Sequence, residues 1–523
     1  MGPGVLLGRW AGPVRAAGWA ALALVALLVL GSLAAVVATA EGGAEGLGPA
    51  GLAALRFTLV QAVLSTALSV ALAVPLARAL ARRAFPGRGA LLALLGAPFI
   101  LPVIVAVFGL LAVWGRSGWL SGLGGAARLG PLDIYGLSGV VLAHVFFNLP
   151  LVTRLLLERW AAVPAERFRL AAQLGFGPGA VFRRIEWPLL REALPGAALL
   201  VFLLTLTSFA VALILGGGPA ATTLEVAIYQ AIRFEFDFAA AARLATVQLA
   251  LCALAAAVAL RLRRPVRLGA PLGRPVVRWD VARGLWRAAD RAAIGLAAAF
   301  LIGPLVAVFL AGLPGLAGGL PAPVWAAAGR SLLVALGSAA LAVGLALALG
   351  LLIDGARRGA VLEGAAVFGL AASPFVLGTG LFVLVFPVAS PAALALPVTM
   401  AVNAAMALPF ALALLVPALR AAREGVGPLA QSLGMTGWAW LRLGLWPRIR
   451  RPVAFAAGLS AALSMGDLGV VTLFAPPDGG TLPLQMQRLM AAYRMEEAAG
   501  AGLLLTLLAF SLFRALDRAG GRP

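Results

Sequence analysis

Leu170-Ala-Ala-Gln-Leu-Gly175, followed after nine residues by Ile185-Glu-Trp-Pro188, returns 259 residues later as Leu429-Ala-Gln-Ser-Leu-Gly434, followed by Gly444-Leu-Trp-Pro447. The same offset relates Pro150 to Pro409 and Thr222 to Thr481, so one register holds across more than 70 residues. Upstream the register shifts: Arg56 pairs with Arg330 and Phe99 with Phe375, at offsets of 274 and 276. The first half therefore carries about 15 extra residues, placed in the loop around 114–134. This duplication sets the organisation. Residues 1–260 form one repeat and 292–523 the other, with an Arg- and Pro-rich linker at 261–291 between them.

The repeats are built to live in lipid. Of 523 residues 62% are hydrophobic and 12% charged, with a mean hydropathy of +1.01. Soluble domains are near half apolar and a quarter charged, so a soluble enzyme and a disordered chain are both excluded. Twelve apolar stretches approach the length that crosses a ~30 Å hydrocarbon core. They lie at about 16–38, 57–77, 89–113, 135–157, 194–215, 239–260, 292–313, 331–353, 364–386, 394–418, 452–474 and 498–516. The first has Arg9 and Arg15 before it and Ala38-Thr39-Ala40 after it, like a signal peptide. Its run of about 23 apolar residues exceeds the 7–15 of a signal core, so it is expected to be a retained helix. The fold class expected is all-α: a polytopic membrane protein of about twelve helices. Six helices separate equivalent positions, an even number, so the two six-helix repeats run parallel, as in some transporters.

Charge sets the orientation. All 41 basic residues are Arg, and 33 of them fall on one side if both termini lie in the cytoplasm. With acids counted, that inner face is +23 and the outer face −2, a strong positive-inside signal. This distribution accounts for the net charge of +21 without a nucleic-acid partner. The basic linker reads first as a stop-transfer signal attracted to anionic membrane lipid.

Several chemistries are closed. With no Lys in the chain, no G-x-x-x-x-G-K-[ST] phosphate loop can exist, so any ATP must be bound by another subunit. Cys252 is alone, which forbids an internal disulfide, and His144 is alone, which excludes Cys/His zinc sites. His144 lies in an apolar run and reads as a helix-packing residue rather than a catalytic base.

The duplicated loops, about 158–192 and 419–451, are the longest cytoplasmic segments outside the linker. Pro164 and Pro428 suit the first turn of a helix, and Gly175 and Gly434 suit a terminating position of positive φ. Each loop is thus expected to hold a short helix outside the membrane. Phe168, Ala171, Ala172 and Leu174 form an apolar patch in the first, and Leu429, Ala430 and Leu433 in the second. Small residues there allow a partner's groove to approach closely; an interfacial helix lying in the headgroups is the other reading.

The spacing from Gly175 to Pro188 resembles the cytoplasmic EAA loop of ABC importer permeases, a family in which this loop is the coupling helix that inserts into the ATPase subunit. The pattern is departed from at the glutamate, which is Arg169 in one copy and Pro428 in the other, and Trp187 and Trp446 replace the Leu before each proline. A denser likeness runs through Arg78–Arg88, Ile100–Gly109, Gly115–Leu120, Leu142–Pro150, Leu170–Gly175 and Leu215–Thr223, and in the second half through Ser464–Gly469 and on to Tyr493. Together these resemble the fused permease of thiamine/thiamine pyrophosphate ABC importers. The resemblance implies a type I importer fold with one chain serving as both permease halves. It also implies a separate cytoplasmic ATPase dimer that holds ATP-Mg, a periplasmic binding protein, and a multi-pass location in a bacterial inner membrane. No cofactor or metal is implied in this chain itself. The coupling residues it implies are Ala171, Ala172, Gly175, Leu429, Ala430 and Gly434. Related fused permeases carry ferric iron, so iron stands as an alternative cargo.

Polar groups within the spans are few. Asp467 is the one acid well inside a predicted span, and its first-half equivalent is Ser208. Intramembrane acids mark pathways by default, so both are candidates for the translocation path; a helix–loop hydrogen bond is the competing role of Asp467. Pro98, Pro102, Pro150, Pro374 and Pro409 are expected to kink helices around that path. An ion-coupled secondary transporter shares the parallel twelve-span layout. It would need buried coupling residues, where these spans offer little but Asp467.

Overall fold

The computed structural model describes residues 11–41, 46–126, 133–216, 218–262, 284–356 and 373–521, with the single residues 6, 8, 278, 359 and 362. Helices α1 (Ala11–Glu41), α2 (Gly48–Arg82), α3 (Val103–Trp114) and α4 (Leu137–Ala161) open the first half. A short loop helix α5 (Ala165–Gln173) follows, then α6 (Trp187–Leu206), α7 (Ala210–Leu215), α8 (Leu224–Gln230) and α9 (Phe238–Leu262). The second half contains α10 (Leu285–Ala317), α11 (Ala322–Gly355), α12 (Pro374–Val385) and α13 (Ala395–Ser432). It closes with α14 (Trp446–Met465), α15 (Gly469–Phe474), α16 (Leu482–Ala491) and α17 (Met495–Ala519). Most of the 261–291 linker and the first part of the predicted 364–386 span lie outside the described residues.

Among the described residues ten helices are long and apolar enough to cross a membrane. The other two predicted spans correspond to α12, which is short, and to α14, whose N-terminal end carries Arg448, Arg450 and Arg451. The long helices are inverted relative to soluble ones. On α2, Thr58, Gln61, Ser65 and Ser69 are buried while Leu64, Leu68 and Leu72 are exposed. On α11, Ser331, Ser338 and a row of alanines are buried while Leu333, Leu336 and Leu341 face out. Lipid tails are as apolar as leucine, so helix contacts are made by small and hydroxyl side chains and the leucines go to the solvent.

Three predicted spans are interrupted. The 89–113 stretch is a short helix at Arg88–Leu94, a 3₁₀ turn at Ala97–Phe99 and then α3. The 194–215 and 452–474 stretches unwind at 207–209 and 466–468, between α6 and α7 and between α14 and α15. The prolines divide accordingly. Pro150 and Pro409 lie within helices, whereas Pro98 sits in the 3₁₀ turn, Pro102 caps α3 and Pro374 opens α12. The last three start helices, where the missing N–H is no loss, instead of kinking them.

The first helix of each half crosses to the other. α1 packs on α11 and α12 as well as on α9, and α10 packs on α2 and α3 as well as on α17. Glycines make the crossings close: a Cβ on Gly380 would lie 2.1 Å from Ser32 O, and one on Gly109 2.5 Å from Pro304 O. Arg82 and Arg83 at the end of α2 bind Asp290 near the start of α10 at 2.5 and 2.7 Å.

Equivalent buried polar clusters tie three helices in each half. Ser65 meets His144 Nδ1 at 3.2 Å between α2 and α4, and Gln61 Nε2 of α2 donates to Thr205 O of α6 at 3.0 Å. At the matching positions Asn403 donates to Ser464 Oγ at 2.9 Å and Ser464 to Ser338 Oγ at 3.0 Å. His144 is thus a buried packing residue, its proton placement set by its neighbours.

Candidate coupling loops and translocation path

The two loops end their helices alike. Gly175 and Gly434 have φ of 66° and 65°. Phe176 N–H reaches back to Ala171 O at 2.9 Å and Met435 N–H to Ala430 O at 2.8 Å, the long bond of a Schellman ending. The N-terminal sides differ. α5 is separate from α4 and starts just after Pro164. Pro428, read from sequence as opening a helix, instead lies inside α13, which runs unbroken from Ala395 to Ser432. Pro428 has no N–H to bond to Glu424 O, a local cost that α13 carries.

The apolar patches split between two faces. Phe168 and Ala171 are buried against the chain's own bundle, while Ala172, Leu174 and Gly175 are exposed. In the second loop Ala430 is buried, while Leu429, Leu433 and Gly434 are exposed. Of the six residues singled out, Ala172, Gly175, Leu429 and Gly434 are therefore open to another molecule, and Ala171 and Ala430 brace the loops from behind.

Each loop returns through a π turn, 182–186 in the first half and 440–445 in the second, immediately before Trp187-Pro188 and Trp446-Pro447. Trp187 N–H bonds Phe182 O and Trp446 N–H bonds Leu441 O. Proline supplies no N–H to the turn beneath it, and the widened turn absorbs the mismatch. Glu186, 1% exposed, is held in this turn by Arg78 at 2.7 Å and Arg278 at 2.8 Å. Sequence reading missed these partners, because they are 108 and 92 residues away.

At the other end of the bundle, each break meets the opposite half. Phe209 stacks on Phe375 at 4.4 Å, and a Cβ on Gly466 would lie 3.0 Å from Pro102 Cα. Ser208 and Asp467 sit in these breaks, partly exposed. Asp467, expected inside a helix, is instead in the non-helical turn, where Oδ1 accepts from Gly469 N–H at 3.1 Å and steadies the start of α15. The short helices α8 and α16 are pinned alike: Leu224 N–H donates to Thr58 Oγ1 at 2.9 Å and Leu482 N–H to Ser331 Oγ at 2.7 Å. Glu225 on α8 is fully buried and accepts from Gln248 Nε2 at 3.2 Å. It escaped the sequence reading because it lies between predicted spans.

Among the described residues no three His, Cys, Asp or Glu side chains are placed to hold a metal. A bundle of many helices long and apolar enough to cross a membrane, broken where its halves meet, is the architecture of a multi-pass membrane protein. No protein-family model matches the chain. It is 41% identical to the thiamine transport system permease protein ThiP of Brucella abortus (strain 2308) over 519 residues, covering 96% of this chain and 95% of that protein. It is 41% identical to ThiP of Escherichia coli (strain K12) over 485 residues, 90% and 89% of the two chains. With ThiP of Haemophilus influenzae it shares 34% identity over 469 residues, 87% and 86%. The chain belongs to the family of thiamine transport system permeases. It is accordingly the membrane subunit of an ABC importer complex and not an enzyme; ATP is bound by a partner subunit.

Proposed function

We propose that this chain carries thiamine or its phosphate esters inward across a bacterial inner membrane. A periplasmic binding protein hands over the cargo, and a cytoplasmic ATPase dimer supplies the energy from ATP-Mg. The observation that carries this reading is the 41% identity to a thiamine permease over 96% of the chain. Residues 1–260 and 292–523 act as the two permease halves, joined by the 261–291 linker. The loops at about 158–192 and 419–451 are the coupling loops. Ala172, Gly175, Leu429 and Gly434 present the surface that enters the ATPase, and Ala171 and Ala430 support it from within. In support, those four are exposed at the ends of two similarly terminated helices.

Both termini lie in the cytoplasm on this reading, from the +23 against −2 division of charge. Ala172→Cys and Gln431→Cys in a Cys252→Ser background should react with membrane-impermeant thiol reagents only from the cytoplasmic side. Labelling of either from outside in intact cells would reverse the orientation.

The path runs between the halves, where the breaks at Ser208 and Asp467 meet the opposite half. Vesicles holding the chain, its ATPase and its binding protein should take up thiamine in an ATP-dependent manner; absence of uptake overturns the cargo assignment. The same vesicles test Asp467. Thiamine is a cation and its pyrophosphate an anion, so a carboxylate that guides cargo discriminates between them. Asp467 already spends Oδ1 on the α15 backbone, and Ser208 offers no matching charge. Asp467→Asn keeps an acceptor but removes the charge. It should change uptake of both cargos alike, normalised to assembled complex. Loss confined to thiamine would make Asp467 a cation guide.

A further inference from the structure

Arg278, ahead of α10, and Leu6, ahead of α1, touch the two loops at matching points. Arg278 NH2 lies 2.8 Å from Glu186 Oε1, and its guanidinium stands 4.5 Å from the centre of the Phe168 ring. Leu6, 3% exposed, packs in one cluster with Leu445, Trp440 and Ala430. Leu6 Cδ1 lies 3.3 Å from the place a Cβ on Gly427 would take, and Leu6 O accepts from Gly437 N–H at 2.8 Å. Phe168 and Gly427 are equivalent at the 259-residue offset, and so are Glu186 and Leu445. Leu6 and Arg278 are themselves 272 residues apart, the spacing that separates Ser32 from Pro304 at the crossings of the first helices.

We propose that Arg278 and Leu6, each ahead of one half's first helix, act as straps on the coupling loop of the opposite half, Arg278 on Glu186 and Phe168, Leu6 on Leu445 and Gly427, and that these straps set the loop position on which coupling depends. This rests on the reading of these loops as the coupling loops. Each strap leads into a helix that crosses to the half whose loop it holds: α10 onto α2 and α3, α1 onto α11 and α12. The two straps use different chemistry. The first is ionic, with Arg78 completing the pair around Glu186 at 2.7 Å and standing 4.8 Å from the Phe182 ring. The second is apolar. A buried ion pair and a packed apolar pair of similar volume can substitute for one another, whereas half of either cannot. Arg278 and Glu186 are thus positioning residues, acting on the loop that meets the ATPase.

The test uses the reconstituted complex with ATPase and binding protein, reading ATPase co-purification, ATP hydrolysis and thiamine uptake. Arg278→Leu leaves Glu186 buried with one arginine. It should keep the ATPase bound and lower thiamine taken up per ATP hydrolysed about tenfold. Arg278→Leu combined with Glu186→Leu rebuilds in the first loop the apolar contact that the second already uses, leaves Arg78, 18% exposed, over the Phe182 ring with its charge open to solvent, and should restore at least half of that ratio. A simple structural weakening would lower the amount of complex without moving the ratio. A wild-type ratio in Arg278→Leu overturns the proposal, and so does a double variant no better than the single. If Arg278→Leu does not assemble, the double variant decides: assembly with coupled uptake supports the strap, and failure overturns it. Failure of the coupling-loop reading is separately visible, because Gly175→Arg and Gly434→Arg would then retain both ATPase and uptake.

Discussion

Gly175→Arg and Gly434→Arg should each leave the chain inserted and folded, release the ATPase from detergent-solubilised complex and reduce uptake by well over tenfold. Both glycines hold positive φ, and among the described residues nothing beyond the immediate chain neighbours lies within 4 Å of a Cβ built at either position. The chain itself therefore has room for the side chain. The intramolecular cost is only that of an L-residue in the left-handed region, about 1–2 kcal/mol. Anything larger has to come from a molecule outside the chain that occupies the open space. Gly175→Asn is the control, since Asn tolerates this backbone and is short; it should retain most of the uptake. Co-purification with the ATPase and uptake in vesicles check the expectation. If both arginine variants hold the ATPase and transport normally, these loops are not the docking surface.

Gly380→Leu should prevent the chain from accumulating as a folded protein. Its Cβ would lie 2.1 Å from Ser32 O, 2.6 Å from Ser32 C and 2.8 Å from Ser32 Cα. All three are backbone atoms of α1, so no side-chain rotation relieves the overlap, and α1 would have to move off α12. Overpacking of this kind costs about 3 kcal/mol or more, against a total stability of roughly 5–15 kcal/mol. Gly109→Leu should behave similarly, because the matching crossing brings its Cβ within 2.5 Å of Pro304 O. Gly329→Leu on α11 is the control: it is exposed and, among the described residues, nothing lies within 4 Å of a Cβ built there. Monodisperse yield and thermal unfolding in detergent measure the difference. A Gly380→Leu protein as stable as Gly329→Leu would mean that α1 does not cross onto α12 as described.

The glycines at 175 and 434 illustrate a feature legible in the chain. A short apolar run ending in Gly after nonpolar residues dictates its own stop, and φ follows from that local chemistry. The start of the second loop helix was not legible in the same way. Pro428 carries the local signal of a beginning, yet α13 continues through it. Ala171 and Ala430 look no different from Ala172 in sequence; only packing against the bundle turns the first two inward.

By itself the sequence determined that this is a helical membrane protein, because the length and apolarity of a span are properties of a short stretch and lipid imposes them one helix at a time. It determined the duplicated register, which is plain at one offset, and the loops that end at Gly175 and Gly434. Only the tertiary structure decided where the spans break. Hydropathy continues through Phe209 and Leu468, and the unwinding at 207–209 and 466–468 is stabilised by contacts with the opposite half that no local pattern encodes. The tertiary structure also decided that α1 and α10 change sides and that Glu186 shares two distant arginines. A buried charge and a glycine crossing are each satisfied by a partner far away in the chain, so their meaning lies in the pairing and not in the residue.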